Sequence, residues 1–332
     1  MNKFTLILII SILIPTLTFS QRHFVTNQYV HERFMMNPAG AGSNKECYSA
    51  NGYIYKQWFG VDNSPATQIL TFQAPLKSML GSGTYIYNDI NGNNKKMGFN
   101  QAFSTDVTLA KNALGNETTL SFGLAGMVEQ TSVDQQNFTG GDIADPTITG
   151  GVESGVGFNA STGFILTHNQ HNLGFAVTNI LPQNNSMFDS EWEPDLPPDF
   201  HLHAGTLFKL PRYDVFVEPV FYYRRDTESN SRMDMNFRLD IPTYDDELSF
   251  WGILAYRRTM DDQLGKDLAT AVTLGLNYKR LNFAFEYLQG LTSAQSRFGN
   301  AVMIVAGYRF CTGDRPPAMP CHERDQMLKA GQ

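Results

Sequence analysis

The sequence contains few charged residues and few cysteines. Charged residues fill 17% of the 332 positions, against about 25% in a typical soluble domain. The formal net charge is -7 and no basic cluster is present, which disfavours a nucleic-acid-binding protein. Mean hydropathy is only -0.27, which disfavours a protein built from transmembrane helices. Aromatic residues, by contrast, are abundant, with 24 Phe, 14 Tyr and 3 Trp. This content argues against intrinsic disorder and favours a β protein, above all a transmembrane barrel.

The first 20 residues are predicted to be a secretory signal peptide. Lys3 supplies a short positive region, residues 4–17 are mainly apolar, and residues 18–20 place small side chains where a signal peptidase reads. A transmembrane anchor is a weaker interpretation because the apolar run is short and no basic flank follows it. The rest of the chain has no comparable apolar stretch, so it can enter a membrane only as a closed barrel.

Segments with apolar residues at every second position follow one another along the chain. In residues 232–241, for example, Met, Phe, Leu and Ile alternate with Arg, Asp and Asn. Fourteen such segments predict an all-β fold, a transmembrane antiparallel β-barrel of about 14 strands. The predicted strands are 48–58, 65–76, 81–90, 97–111, 117–130, 155–168, 171–180, 199–210, 213–225, 231–241, 247–259, 267–279, 281–289 and 300–310.

The connections between these segments alternate in length. Longer loops such as 91–96, 131–154 and 181–198 alternate with tight turns such as 169–170. This rhythm is typical of an outer-membrane barrel with both termini in the periplasm, whereas a soluble β-sandwich has no reason to keep it. The predicted divisions are a signal peptide (1–20), an N-terminal segment (21–46), the barrel (47–310) and a periplasmic tail (311–332).

The N-terminal segment lacks the alternation of the strands. Residues 30–36 are compatible with a short helix that ends at Asn37-Pro38. Two placements are open for this segment: it folds into the barrel lumen as a plug, or it forms a periplasmic docking segment.

Charged residues on two consecutive predicted strands must face the lumen, because a charge facing lipid at mid-depth costs about 2–4 kcal/mol. We interpret them as an internal salt network with pairing across adjacent strands, in preference to a charged binding or conduction path. The residues are Asp214, Glu218, Arg224, Arg232, Asp234, Arg238 and Asp240.

The sequence supports neither an enzyme nor a cofactor. His201 and His203 share one face of a strand and could provide two metal ligands, but no third ligand is identifiable, so we expect no metal there. The three cysteines allow two pairings in an oxidising compartment. Cys311–Cys321 would close a loop in the tail and is preferred. The alternative, Cys47–Cys311, would join the first and last strands at the seam of the barrel.

Three short stretches resemble the opening of the PorP/SprF family of outer-membrane proteins of the type IX secretion system in Bacteroidota. They are Asn37-Pro-Ala-Gly-Ala-Gly-Ser43, Gln57-Trp58-Phe-Gly60 and Pro65-Ala-Thr67, and Pro75 follows them. The usual first motif is Asn-Pro-Ala-Tyr-Ala-Gly, and Gly40 stands here at the Tyr position. The motif residues, which we expect to shape a plug and the first outer hairpin, are Asn37, Pro38, Gly42, Gln57, Trp58, Gly60, Pro65 and Thr67.

The resemblance implies a fourteen-stranded barrel of the fatty-acid-transporter type. It also implies a role in the secretion or surface retention of cargo that carries a type-B C-terminal sorting domain, including gliding adhesins. Implied partners are this cargo, the type IX translocon or periplasmic ring and peptidoglycan-binding components, and outer-membrane lipid. The alternative function is a channel for a small solute.

Overall fold

The computed structural model describes residues 27–44, 47–58, 61, 64–77, 79–111, 116–136, 150–181, 197–210, 213–227, 230–245, 247–260, 267–293 and 299–311. The predicted signal peptide, most of the two longest loops and nearly all of the predicted tail lie outside these ranges. No helix within them is long and apolar enough to span a membrane.

The described residues form fifteen strand segments at fourteen positions around a barrel. Segments β8 and β9 are successive pieces at one position, interrupted at Leu207, and both pair with β10. The strands are β1 (Cys47–Gln57), β2 (Ala66–Lys77), β3 (Leu80–Asn91), β4 (Asn94–Lys111), β5 (Glu117–Asp134), β6 (Val152–His168), β7 (His171–Thr178), β8 (Asp199–Thr206), β9 (Phe208–Lys209), β10 (Phe216–Asp226), β11 (Ser231–Pro242), β12 (Leu248–Thr259), β13 (Asp267–Tyr278), β14 (Leu281–Gly290) and β15 (Ala301–Cys311).

The sheet closes on itself. Neighbours in sequence pair in antiparallel fashion, and β1 pairs with β15 from Cys47 opposite Cys311 to Gln57 opposite Ala301. Side chains alternate as predicted: in β11, Met235 is 50% exposed on the outer face, whereas Asp234 is 0% exposed inside. The predicted all-β, fourteen-stranded antiparallel barrel is confirmed.

The two ends of the barrel differ. We call the end that holds Cys47 and Cys311 the disulfide end and the opposite end the loop end. Tight turns at residues 169–170 and 279–280 lie at the disulfide end. At the loop end, Asn91 pairs with Asn94, so the longer loop predicted at 91–96 is wrong. Strands β4 and β5 have 18 residues each, more than the roughly 9–11 that a tilted membrane strand needs, and therefore extend beyond the bilayer.

Cys47 and Cys311 form a disulfide bond across 264 residues of sequence. The preferred Cys311–Cys321 pairing is therefore wrong, because Cys311 is already bonded. The physical reason is barrel closure, which makes the first and last strands neighbours and sets these two residues directly opposite each other. Cys321 itself lies outside the described residues.

Residues 27–44, which we call the plug, lie inside the barrel. The plug contains three short 3₁₀ helices, Asn27–Val30, Arg33–Met35 and Pro38–Gly40. Phe34 is 2% exposed and packs in a cluster with wall residues that include Tyr85 and Ile253. The plug therefore supplies the apolar contacts that fill the middle of the lumen.

Candidate functional site

The plug approaches one side of the barrel wall along a track of glycines. A Cβ atom added at Gly123 would lie 2.1 Å from the backbone nitrogen of Ala39, and one at Gly81 would lie 2.2 Å from the carbonyl oxygen of Ala41. Such distances are far below normal contact. The wall therefore lacks side chains at the points where the plug backbone rests on it.

Hydrogen bonds fix the last turn of the plug to the same wall. The Ser104 hydroxyl donates to the Ala41 carbonyl oxygen at 2.6 Å, and the Gly42 amide donates to Gln73 Oε1 at 3.0 Å. Gly42 has φ of +56°, and a Cβ there would lie 2.6 Å from the Ala74 carbonyl oxygen. Glycine is required at this position for both its backbone conformation and the space.

Asn37 links the plug to β6 and β7. Its side-chain oxygen accepts from the Ala39 amide at 3.0 Å and caps the Pro38–Gly40 helix. Its side-chain nitrogen donates to the carbonyl oxygens of Phe164 at 3.1 Å and Phe175 at 3.3 Å. One buried amide thus serves both the fold of the plug and its attachment.

Glu32 anchors the plug to the adjoining strands β1 and β2. It is 2% exposed, and burial raises the pKa of its carboxyl group while the hydrogen bonds it accepts act in the other direction. The donors to this carboxylate are the side chains of Asn51, Tyr53, Thr71 and Gln73. Two adjacent strands, β1 and β2, supply all four of these donors.

Two of the charged residues predicted for the lumen bind the plug. Glu218 stands opposite Arg238 in the sheet register but forms its ion pair with Arg33 of the plug. The Tyr29 hydroxyl donates to Asp234 Oδ2 at 2.7 Å. The expected pairing between β10 and β11 is therefore wrong for these residues. The predicted residues also form ion pairs between Arg224 and Asp199 (2.7 Å), Arg232 and Asp234 (2.6 Å), Arg238 and Asp240 (2.9 Å), and Arg257 and Asp234 (3.9 Å).

Asp214 does not face the lumen. Its side chain is 82% exposed and lies 3.0 Å from Lys209 Nζ. The chain turns here, since the Leu210 amide donates to the Val215 carbonyl oxygen, and the strand begins only at Phe216. The alternation of residues 213–217 thus extends past the true start of the strand.

The second motif group lies far from the plug, at the loop end of the first hairpin. The Gln57 amide donates to the Pro65 carbonyl oxygen at 2.9 Å, and the Trp58 amide to the Asn300 carbonyl oxygen at 3.0 Å. The Thr67 hydroxyl donates to Asp89 at 2.6 Å. Gly60 lies outside the described residues. The resemblance motifs therefore occupy two separate places, the lumen and the first hairpin.

Two cavities flank the plug within the described part of the chain. The larger, about 260 Å³, lies on the disulfide side and is lined by residues such as Glu32 and Arg309. The smaller, about 30 Å³, lies on the loop side beside Tyr87 and Arg224. Met36 lines both cavities, so the plug is the partition between them.

The lumen contains His31 of the plug and the predicted pair His201 and His203 of β8. Burial, with Arg238 and Arg257 nearby, lowers the pKa of His31 in the plug to about 3. The two ring nitrogens of His201 lie 2.7 Å from Tyr222 Oη and 2.9 Å from Thr178 Oγ1, so neither is available to a metal. Among the described residues, no group of three or more His, Cys, Asp or Glu side chains could hold a metal ion.

Three contributors to the site were not predicted from sequence: Tyr29, Glu32 and Arg33. They lie in a stretch without periodicity, where no pattern shows which wall each side chain will meet. The available signal was the adjacent acidic and basic residues Glu32 and Arg33 in a segment for which a place in the lumen was one of two open alternatives.

Comparison with known proteins adds to this geometry. The family described as "Type IX secretion system membrane protein PorP/SprF" matches residues 18–308. A comparison with curated proteins finds no match. Among solved structures, the chain is similar to the "CymD monoaromatic hydrocarbon channel" (TM-score 0.53, 9% identity, 86% of this chain and 92% of that chain). It is also similar to a FadL homologue from Pseudomonas aeruginosa (TM-score 0.50, 10% identity, 83% of this chain and 93% of that chain). At these identities the likeness concerns the fold alone, that of an outer-membrane barrel.

Proposed function

Because the chain belongs to the PorP/SprF family of type IX secretion system membrane proteins, we propose that it receives, helps to secrete or anchors one secreted cargo protein at the cell surface. The cargo would carry a type-B C-terminal sorting domain, as the family resemblance implies. The protein acts in this proposal as a non-enzymatic, plugged barrel in the outer membrane.

The observation that carries the proposal is the plug. Its residues Glu32, Arg33 and Asn37 bind partners on three separate strands of the wall. The plug backbone also packs against wall glycines at positions where a side chain would not fit. A lumen filled in this way is suited to a barrel that presents surfaces, and poorly suited to one that conducts a solute continuously.

The proposed orientation places both termini in the periplasm. The disulfide end, with its tight turns, then faces the periplasm, and the loop end faces the outside. Cargo would meet the loop end, where β4 and β5 extend beyond the bilayer. Translocon or periplasmic ring components would meet the disulfide end.

In this arrangement the motif residues have two roles. Asn37, Pro38 and Gly42 give the plug its shape, while Gln57 and Trp58 hold the first hairpin at the outer surface. Thr67 and Pro65 support the same hairpin.

A comparison of surface and culture-fluid proteins between wild-type cells and a strain lacking this gene tests the proposal. Loss of one large protein with a C-terminal sorting domain from the surface is the expected result and makes this chain its dedicated partner. Broad loss of many secreted proteins would make it a general part of the secretion machinery. An unchanged profile would contradict both versions.

The channel alternative is tested separately, by conductance of the purified barrel in planar bilayers. The plugged lumen predicts little steady conductance. Appreciable steady conductance by the wild-type protein would favour a solute channel and count against a closed receptor.

A further inference from the structure

Two exposed histidines stand side by side on the outer face at the disulfide end. His168 ends β6 and His171 begins β7, and the two are direct cross-strand partners next to the turn that joins these strands. Direct partners of this kind have Cβ atoms about 4.5–5.5 Å apart on one face of the sheet. The two histidine side chains therefore leave the sheet next to each other at the rim of the barrel.

A threonine on the far side of each histidine orients its ring. Thr118 is the β5 partner of His168, and its Oγ1 lies 2.8 Å from His168 Nδ1. Thr206 is the β8 partner of His171, and its Oγ1 lies 2.6 Å from His171 Nδ1. The four residues form one row across four strands, with a hydroxyl at each end and the histidines in the middle.

A second contact of this kind usually accompanies a metal-binding histidine. A ligating imidazole usually donates from its other ring nitrogen to an oxygen, which fixes the ring and the tautomer. When Nδ1 of His168 or His171 donates to its threonine hydroxyl, the lone pair is left on Nε2. Both rings then carry an available donor nitrogen on the exposed face of the same hairpin.

The turn beneath the pair is held on both sides. Asn169 adopts φ of +51°, its amide donates to the Glu117 carbonyl oxygen at 3.1 Å, and its side-chain oxygen accepts from the Glu117 amide at 3.1 Å. The Gln170 carbonyl oxygen accepts from the Leu207 amide at 3.0 Å. Glu117 of β5 and Leu207, which follows β8, both form hydrogen bonds with this turn. The backbone that carries the two histidines is therefore fixed before any metal binds.

We propose that His168 and His171 together bind one divalent transition-metal ion of the zinc or copper class through Nε2. Each Nε2 would form a metal–nitrogen bond of about 2.0–2.1 Å. The ion keeps its other coordination positions for water or for groups outside the chain. This site is separate from the plug and does not depend on the proposed cargo role.

The experiment uses the chain without its signal peptide, folded in detergent and free of any histidine tag. Cu²⁺ and Zn²⁺ are titrated separately, and the Cu²⁺ complex is examined by electron paramagnetic resonance for coupling to two imidazole nitrogens. We expect one saturable ion per chain. His168→Ala and His171→Ala should each abolish that site, because the binding is shared.

A second pair of variants tests the orienting hydroxyls. Thr118→Val and Thr206→Val keep both histidines and remove the Nδ1 partner, so metal affinity should fall about 10- to 100-fold. The double variant lacking His168 and His171 gives the background binding by the rest of the chain. Heat-modifiable migration in gels confirms that every variant is folded.

Two outcomes overturn the proposal. If each single alanine variant keeps half of the bound metal, the histidines act independently. If the double variant binds as well as the wild type, the metal is held elsewhere.

Discussion

A single methyl group at Gly123 should displace the plug. The added Cβ would lie 2.1 Å from the Ala39 nitrogen, 2.2 Å from the Pro38 carbonyl carbon and 2.5 Å from its oxygen. Normal contacts need about 3.5 Å, so the overlap exceeds about 1 Å. All three atoms are backbone atoms, which no side-chain rotation can move away. The plug must therefore shift as a unit.

The magnitude follows from the cost of overfilling a packed interior. One extra carbon typically costs about 1–3 kcal/mol, and rigid backbone on both sides puts Gly123→Ala near the upper value. About 3 kcal/mol corresponds to a roughly 100-fold change in the ratio of seated to displaced plug. We expect Gly123→Ala to show frequent channel openings in planar bilayers where the wild type shows few, and to unfold at lower urea concentration.

Gly126→Ala is the matched control in the same strand. A Cβ at Gly126 meets nothing within 4 Å, and its φ is not positive. This variant should match the wild type or be slightly more stable, because alanine restricts the unfolded chain. If Gly123→Ala conducts no more than Gly126→Ala, the predicted contact between the plug backbone and Gly123 is wrong.

Three further outcomes follow from contacts between the plug, the seam and the wall. Arg33→Met should destabilise the fold by about 3–5 kcal/mol in urea unfolding because it leaves the buried Glu218 carboxylate unpaired, whereas Glu218→Met should cost less because the Arg33 side chain is 35% exposed. The double variant should recover most of the loss; additive losses would show that the pair is not coupled. Tyr29→Phe should cost about 1–2 kcal/mol through a lost buried hydrogen bond, and an unchanged urea midpoint would contradict that contact. Replacing Cys47 and Cys311 by serine should lower the free energy of unfolding by about 2–4 kcal/mol. Dithiothreitol should lower the stability of the wild type but not that of this variant.

The barrel itself was predictable because membrane strands repeat a simple rule. Each residue in the bilayer faces either lipid or lumen, and this leaves alternation in the sequence, as in the predicted strand 231–241, which the structure places at Ser231–Pro242. Where the strand leaves the bilayer the rule ends. Asn94, Lys95 and Lys96 continue β4 as three polar residues in succession, so the sequence suggested a loop.

The plug contacts were not predictable in the same way. The Glu32 carboxylate meets side chains from residue 51 to residue 73, and Arg33 meets a residue 185 positions away. These partners depend on how the barrel closes and on which side of the lumen the plug enters. The disulfide shows the same limit, since Cys311 and Cys321 are near in sequence whereas Cys47 becomes near only after closure.

The connection between the plug and the first strand determines how an opened barrel would behave. Asn44 ends the described plug, and Cys47, which is bonded to Cys311, begins β1. A displaced plug therefore remains covalently attached to the disulfide end of the barrel. A short tether of this kind gives an effective concentration in the millimolar range. A competitor with the same intrinsic affinity as the plug must exceed that local concentration to hold the lumen open. Once the competitor dissociates, the plug rebinds in the lumen by an intramolecular step, and this closure needs no second protein.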